Sequence, residues 1–465
     1  METTLIQSTK NVLKKKVNTF EEQQKQRIIN ACKSSMKYSE VLSFIKNEIE
    51  QSEKETSVNY NIRCWKSDGA YQFNKAVEEI FGSVRAKGDA QPSAGEGSIQ
   101  TLDIILADGT RVKVPFGEID LKELGEGAHI SLNYDESKHI LIISGQCKYK
   151  YQSLFDDIAD RTKELLKKES IYKNQALEIT DINEDPKILD LKDIDSQMMV
   201  LSKKTEFELR PLRSRILYPK ECIKKGIPLK FGCLLEGSYG TGKTLLAFKT
   251  AREAVQNNWT FLYLKDPSAL AETLRMIKVI DKSCNGVIVF VEDIDQVTKG
   301  DRDSALQDIL NTLDGGDTKS MNVITLFTTN HIELINPTFL RGKRVGSIIT
   351  MDCLDAETAE KFIRESFKES EGYILEEDLS EVCNYIAEHN IAPAFMAEIV
   401  ESTKSKLIFS DDNKVTSFHI RTSVDSYLRQ VELSKKKDSS KTKEQELYNL
   451  FTQMVSDGVD KFLTV

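Results

Sequence analysis

The chain has 465 residues, 40% hydrophobic and 29% charged, which predicts a soluble protein of about three domains rather than one core. Its net charge of −9 argues against a large nucleic-acid-binding surface. The 8 cysteines form no Cys-x-x-Cys pair, which argues against zinc knuckles and redox motifs and fits a reducing compartment.

The first residues, Met1 to Gln7, lack a basic-then-apolar signal, and no apolar run reaches bilayer-spanning length. A cytoplasmic protein without a membrane partner is expected. Residues 1–57 read as a helical segment, with Tyr38, Leu42, Ile45 and Ile49 at helical spacing. That face packs either on this chain or on a partner helix. Residues 58–150 read as a small β-rich or α+β domain: a strand at Tyr60–Trp65, a short helix at Ala76–Phe81, a polar loop at Lys87–Ser98, and strands at Gln100–Leu106, Asp108–Val114 and Ile140–Ser144. Ala107-Asp108-Gly109-Thr110 is a hairpin turn. Nothing in this domain looks catalytic, so by position it is expected to take a protein substrate or adaptor.

Ser153–Lys168 is an amphipathic helix opening a connector over 151–204, and a nucleotide-binding module follows over 205–355. Residues 356–434 are helical. The last stretch, 435–465, is a charged linker and a helix with Leu447, Leu450, Phe451, Met454 and Val455, which docks on a neighbouring subunit or on the same chain.

The most informative stretch is Gly237-Ser238-Tyr239-Gly240-Thr241-Gly242-Lys243-Thr244. Its glycines let backbone N–H groups curl around phosphates. Lys243 places a cation on the β- and γ-phosphates, and the Thr244 hydroxyl can ligate Mg²⁺. The strand Gly232–Glu236 enters this loop, and a helix opening with Thr244 and Leu245 leaves it, its positive end toward the phosphates. ATP and Mg²⁺ are the expected ligands. In Val287–Asp295, five apolar residues run into Glu292 and Asp293, as in a buried parallel strand whose tip holds the metal and activates water. Asn322–Asn330 is a second buried strand, and Asn330 at its tip either orients the water near the γ-phosphate or caps the next turn. Arg341 and Arg344 follow Asn336-Pro337-Thr338-Phe339-Leu340. Supplied by a neighbouring subunit they would stabilise phosphoryl-transfer charge; alone, such a run is an ordinary basic surface.

The order of phosphate loop, acidic strand tip, Thr328-Thr329-Asn330 and Leu340-Arg341-x-x-Arg344 resembles the AAA family of ATPases, over roughly residues 205–434. Leu306–Gly315 resembles that family's second region of similarity, and Ala392–Val400 resembles a turn of its helical lid. The resemblance implies an α/β fold: a P-loop αβα sandwich on a five-stranded parallel sheet, followed by a helical lid. It also implies a homo-oligomeric ring, usually a hexamer, with ATP at subunit boundaries, Arg344 and Arg341 as arginine fingers, and Asn330 as first sensor. Two departures stand out. Glu292-Asp293 replaces the usual Asp-Glu, so Glu292 takes the metal position and Asp293 the water-activating one. Lys265–Lys278 has neither the aromatic residue nor the glycine of a threading pore loop. The acid order, Lys225-Gly226-Ile227-Pro228 and Thr328-Thr329-Asn330-His331 are similar to the branch typified by the mitochondrial inner-membrane translocase of the folded Rieske protein. No His-Glu-x-x-His zinc site occurs.

The leading expectation is an ATPase that remodels, translocates or disassembles a protein partner. The alternatives are a nucleic-acid-linked motor, against which the charge counts, and an ATP-binding scaffold with slow hydrolysis.

Overall fold

A computed structural model describes residues 22–34, 36–81, 100–121, 124, 127–277, 285–298, 311, 322–340, 344–410 and 413–433. The polar loop at Lys87–Ser98, most of Leu306–Gly315, Lys278, Arg341 and the tail over 435–465 lie outside the described residues. The chain divides into two compact units, one of residues 1–197, 209–236 and 244–349, the other of residues 198–208, 237–243 and 350–465.

In the first unit, four antiparallel strands are ordered β1-β6-β5-β4, with β1 at Glu55–Arg63, β4 at Glu118–Asp120, β5 at His129–Asp135 and β6 at Ile140–Lys148. The strands β2 (Gln100–Ile105) and β3 (Arg111–Phe116) form a separate hairpin. At its turn the Thr110 amide donates to the Asp108 carboxylate at 2.9 Å, an Asx-type closure. Alternate residues of the four-stranded sheet, Val58, Ile62, Leu141 and Ile143 among them, are buried on one face. They share a core with Phe73 of the helix Lys66–Phe81 and with Phe155 and Ile158 of the helix Gln152–Glu169. The helix Lys66–Phe81 begins ten residues earlier than the sequence suggests. Ser67, Asp68, Gln72 and Asn74 in that extra stretch are polar yet buried, so burial hides the usual apolar periodicity. Asp185 accepts from the Ser67 amide at 3.1 Å and the Ser67 hydroxyl at 2.6 Å, supplying a carboxylate to the helix start.

Asp68 is 2% exposed. Burial pushes its carboxyl up to about 6, although Ser170, the Ile171 amide and Gln72 donate to it and pull the other way. A raised acid favours the folded state fully below its unfolded value and loses that contribution as pH rises through the folded one. Relative to Asp68→Asn, the wild-type chain should therefore lose about 2 kcal/mol of stability between pH 4 and pH 7. Denaturant unfolding of both chains across that range checks this; a constant difference contradicts it.

The large sheet is ordered β13-β9-β12-β11-β10-β7-β8. Its strands are β7 (Ala176–Ile179), β8 (Lys187–Ile188), β9 (Phe231–Glu236), β10 (Trp259–Leu264), β11 (Gly286–Val291), β12 (Val323–Thr329) and β13 (Ser347–Thr350). The run β9-β12-β11-β10-β7 is parallel, and β8 joins antiparallel. Every residue of β11 and β12 is buried, as expected where both faces of a parallel sheet are covered. Seven strands stand where five were expected. The extra two come from the segment read as a helical connector, because Ala176–Ile179 finds its partner in β10, more than eighty residues away. Tyr172 and Trp65 pack into the core of this sheet with Leu177, Leu264 and Val289. Their rings meet edge to face at 5.4 Å, one of the favoured aromatic geometries. The described part of the pore-loop segment also lies in this core: Leu270, Leu274 and Met276 of the helix Leu270–Met276 are buried there.

The second unit is helical. Its helices are Ala356–Ser366, Ser380–Glu388, Pro393–Ser410 and residues 417–433, beside a two-strand pair, β14 (Ile374–Leu375) and β15 (Lys414–Val415). Phe362, Ile386, Met396 and Ile420 form its core, joined by Val200. Asp355 caps the first of these helices, accepting from the Thr358 amide at 2.7 Å.

Candidate nucleotide site

The glycine loop follows β9 in the chain. Gly237, Gly240 and Gly242 have φ of +152°, +81° and +91°, values that side chains disfavour. A Cβ on Gly237 would stand 2.3 Å from the Met351 carbonyl oxygen. Thr241 is buried, and its hydroxyl donates to the Ser238 carbonyl at 2.9 Å. The Gly240 carbonyl accepts from the Ala394 amide at 3.0 Å, which ties the loop to the start of the helix Pro393–Ser410. Lys243 opens the helix Lys243–Gln256 and is only 7% exposed; its ammonium donates to the carbonyls of Gly237 at 2.8 Å and Ser238 at 2.9 Å. Tyr239 is exposed. Gly237 and Ser238 line a cleft of about 410 Å³ together with Met351, Cys353, Leu354 and Asn390.

The acids form a second cluster. One Glu292 oxygen accepts from the Thr244 hydroxyl and the other from the Tyr263 hydroxyl. Leu245 follows Thr244 on the same helix and is half-buried. Asp293 has φ +46°, a left-handed conformation that Asp adopts more readily than most residues. Its amide donates to Thr328 Oγ1 at 3.1 Å, and its Oδ1 accepts from Asn330 Nδ2 at 3.0 Å. Thr329 donates to the buried Asp295 at 2.9 Å. Backbone at positive φ held by two neighbouring groups stores strain of the kind found at functional sites. The hydroxyl-plus-carboxylate pair at Thr244 and Glu292 is a hard oxygen donor set, which fits Mg²⁺ bound through water and phosphate. The glycine backbone fits a polyphosphate.

Arg344 lies elsewhere in the first unit. Its guanidinium donates to the Thr338 carbonyl at 2.6 Å. Its own carbonyl oxygen sits where a Cβ on Gly232 would be, 1.7 Å from the ideal position, so only glycine allows this approach. Gly232 is near the start of β9, while Glu236 at its end pairs with Thr329. At strand rise, the two ends are about 13 Å apart. The sequence reading missed Tyr263. No local pattern marks it: only strand register, in which Tyr263 pairs with Phe290 two residues before Glu292, puts phenol and carboxylate on one face.

A parallel sheet with a glycine loop after β9, acids after β11 and an amide after β12 is the arrangement of a P-loop nucleotide-binding domain. Residues 233–353 match the family model described as ATPase family associated with various cellular activities (AAA), so this chain carries an AAA ATPase domain. Among curated proteins, it is 31% identical over 210 residues to a proteasome-activating nucleotidase of Methanococcus vannielii, covering 42% of this chain and 49% of that protein. It is 25% identical over 244 residues to an ATP-dependent zinc metalloprotease FtsH of Helicobacter felis, covering 49% of this chain and 37% of the relative. A Slackia heliotrinireducens FtsH is 28% identical over 173 residues, 34% of this chain and 22% of the relative. The chain thus spans half or less of the length of these relatives. Among the described residues, no helix is long and apolar enough to cross a membrane.

Proposed function

We propose that this chain is a subunit of an oligomeric ATPase that couples ATP hydrolysis to remodelling, translocating or disassembling a protein partner. The observation that carries this reading is the acid cluster, in which Asp293 is fixed by Thr328 and Asn330 beside a Glu292 fixed by Thr244. In it, Lys243 and the loop amides bind the phosphates. Glu292 and Thr244 hold Mg²⁺, which when bound offsets charge on the phosphate oxygens. Asp293 takes the proton of the attacking water, and Asn330 fixes the plane of that carboxylate.

Arg344 supports a ring. Anchored near the start of β9, it stands off from the strand ends that carry the acids, so it would serve a neighbouring subunit's ATP. A hexamer is the proposed form, with Arg341 as a second arginine. The domain over 58–150 is the proposed place for the protein partner, and a cytoplasmic setting is part of the proposal. The relatives' printed names, a proteasome activator and an ATP-dependent protease, favour a protein substrate over nucleic acid. The Glu292-Asp293 order favours the Rieske-translocase branch within the family. The chain has no His-Glu-x-x-His, so the proposal includes no protease of its own.

Arg344→Ala should bind ATP normally and lose about 10³-fold in hydrolysis. Mixing it with Lys243→Ala subunits should restore part of the rate, since each variant supplies what the other lacks. Mixtures that stay inactive at every ratio, with both proteins assembled, would remove the in-trans role.

A further inference from the structure

Tyr263 is a positioning residue for the metal-side acid, we infer: its hydroxyl fixes the second oxygen of Glu292 and so completes the Mg²⁺ site. This rests on the ATPase reading above. The acid here is one methylene longer than the aspartate usual in the family, and each extra rotatable bond adds conformations that do not hold a metal in place. Two donors remove that freedom. Thr244 Oγ1 takes Oε1, and Tyr263 Oη takes Oε2.

The phenol is itself held. Its ring stacks on Phe290 at 5.3 Å and 26°, and Phe248 meets it edge-on at 5.5 Å. Phe248 sits one turn after Thr244 on the helix Lys243–Gln256, so one aromatic cluster positions both donors. Register explains the reach. Tyr263 pairs with Phe290, and Glu292 lies two residues further along the same face, about 6.6 Å on, a distance a phenol spans. An aspartate at 292 would stop roughly 1.5 Å short. A phenol keeps its proton at neutral pH, so Tyr263 is the donor to the carboxylate. Among the described residues, Glu178 is a further nearby acid, and it pairs with Lys265 at 2.9 Å.

The test is a double-mutant cycle on the full chain with Tyr263→Phe, Glu292→Asp and the pair. Two quantities are read: Mn²⁺ affinity of protein loaded with a non-hydrolysable ATP analogue, by electron paramagnetic resonance, and the Mg²⁺ concentration giving half-maximal hydrolysis. Tyr263→Phe keeps the ring stack, so thermal melting should not change. Both metal readouts should weaken roughly tenfold, the size expected when one hydrogen bond to a charged acceptor is lost. In the Glu292→Asp background the same change should cost less than about twofold, because the bond is already gone. Unaltered metal affinity, or an equal loss in both backgrounds, overturns the role of Tyr263 alone. A wild-type chain that neither binds nor hydrolyses MgATP overturns this inference together with the reading beneath it.

Discussion

Lys243→Ala should abolish retention of ATP while leaving the fold intact. Lys243 is nearly buried and its ammonium lies against the carbonyls of Gly237 and Ser238. Those carbonyls belong to a loop with glycines at positive φ, and the cation is the group that can leave them for phosphate oxygens. Charge-assisted hydrogen bonds contribute about 1.5–3 kcal/mol each. Losing two such bonds to phosphate predicts a dissociation constant weaker by roughly 10²- to 10⁴-fold. Equilibrium binding of a fluorescent ATP analogue measures it. Near-normal affinity in the variant would show that the loop does not bind phosphate through this residue.

Asp293→Asn should do the reverse: bind ATP as the wild type does and hydrolyse it about 10³-fold more slowly. The substitution is unusually clean here. Asp293 sits at φ +46°, and asparagine is among the few residues that accept that conformation. The carbonyl oxygen of the new amide can still accept from Asn330, as Oδ1 of Asp293 does at 3.0 Å, and the amide bond to Thr328 is a backbone contact. Only the negative charge and the basic oxygen disappear. The variant should therefore accumulate bound ATP and hold an assembled state long enough to capture a protein partner. Steady phosphate release at the wild-type rate would remove Asp293 from its role, and Glu292 would become the acid to test next.

The loop and the acids carry separable functions under these predictions. Lys243 controls whether nucleotide is present, Asp293 whether it turns over, and Tyr263 how tightly the metal is held. Wild type and the three variants therefore differ in pattern as well as in size across nucleotide binding, phosphate release and metal affinity.

The parts of this protein written in consecutive residues are legible from residue order alone. The glycine loop, the apolar run into Glu292 and Asp293, and the run into Asn330 are legible because each requirement falls within eight or nine positions. A glycine at positive φ, a strand buried on both faces and a helix start all leave local traces in residue type. Whatever depends on pairing across distance emerges only in the folded chain. Ala176–Ile179 is an ordinary four-residue stretch until β10 accepts it as a sheet neighbour. Lys66–Phe81 hides its helix because its polar residues are buried against other segments. Tyr263 reads as one more core aromatic until register sets it beside Glu292. The seat of Arg344 depends on a glycine more than a hundred positions earlier. Such contacts are specified by packing and strand register, which a linear pattern of residue types does not encode.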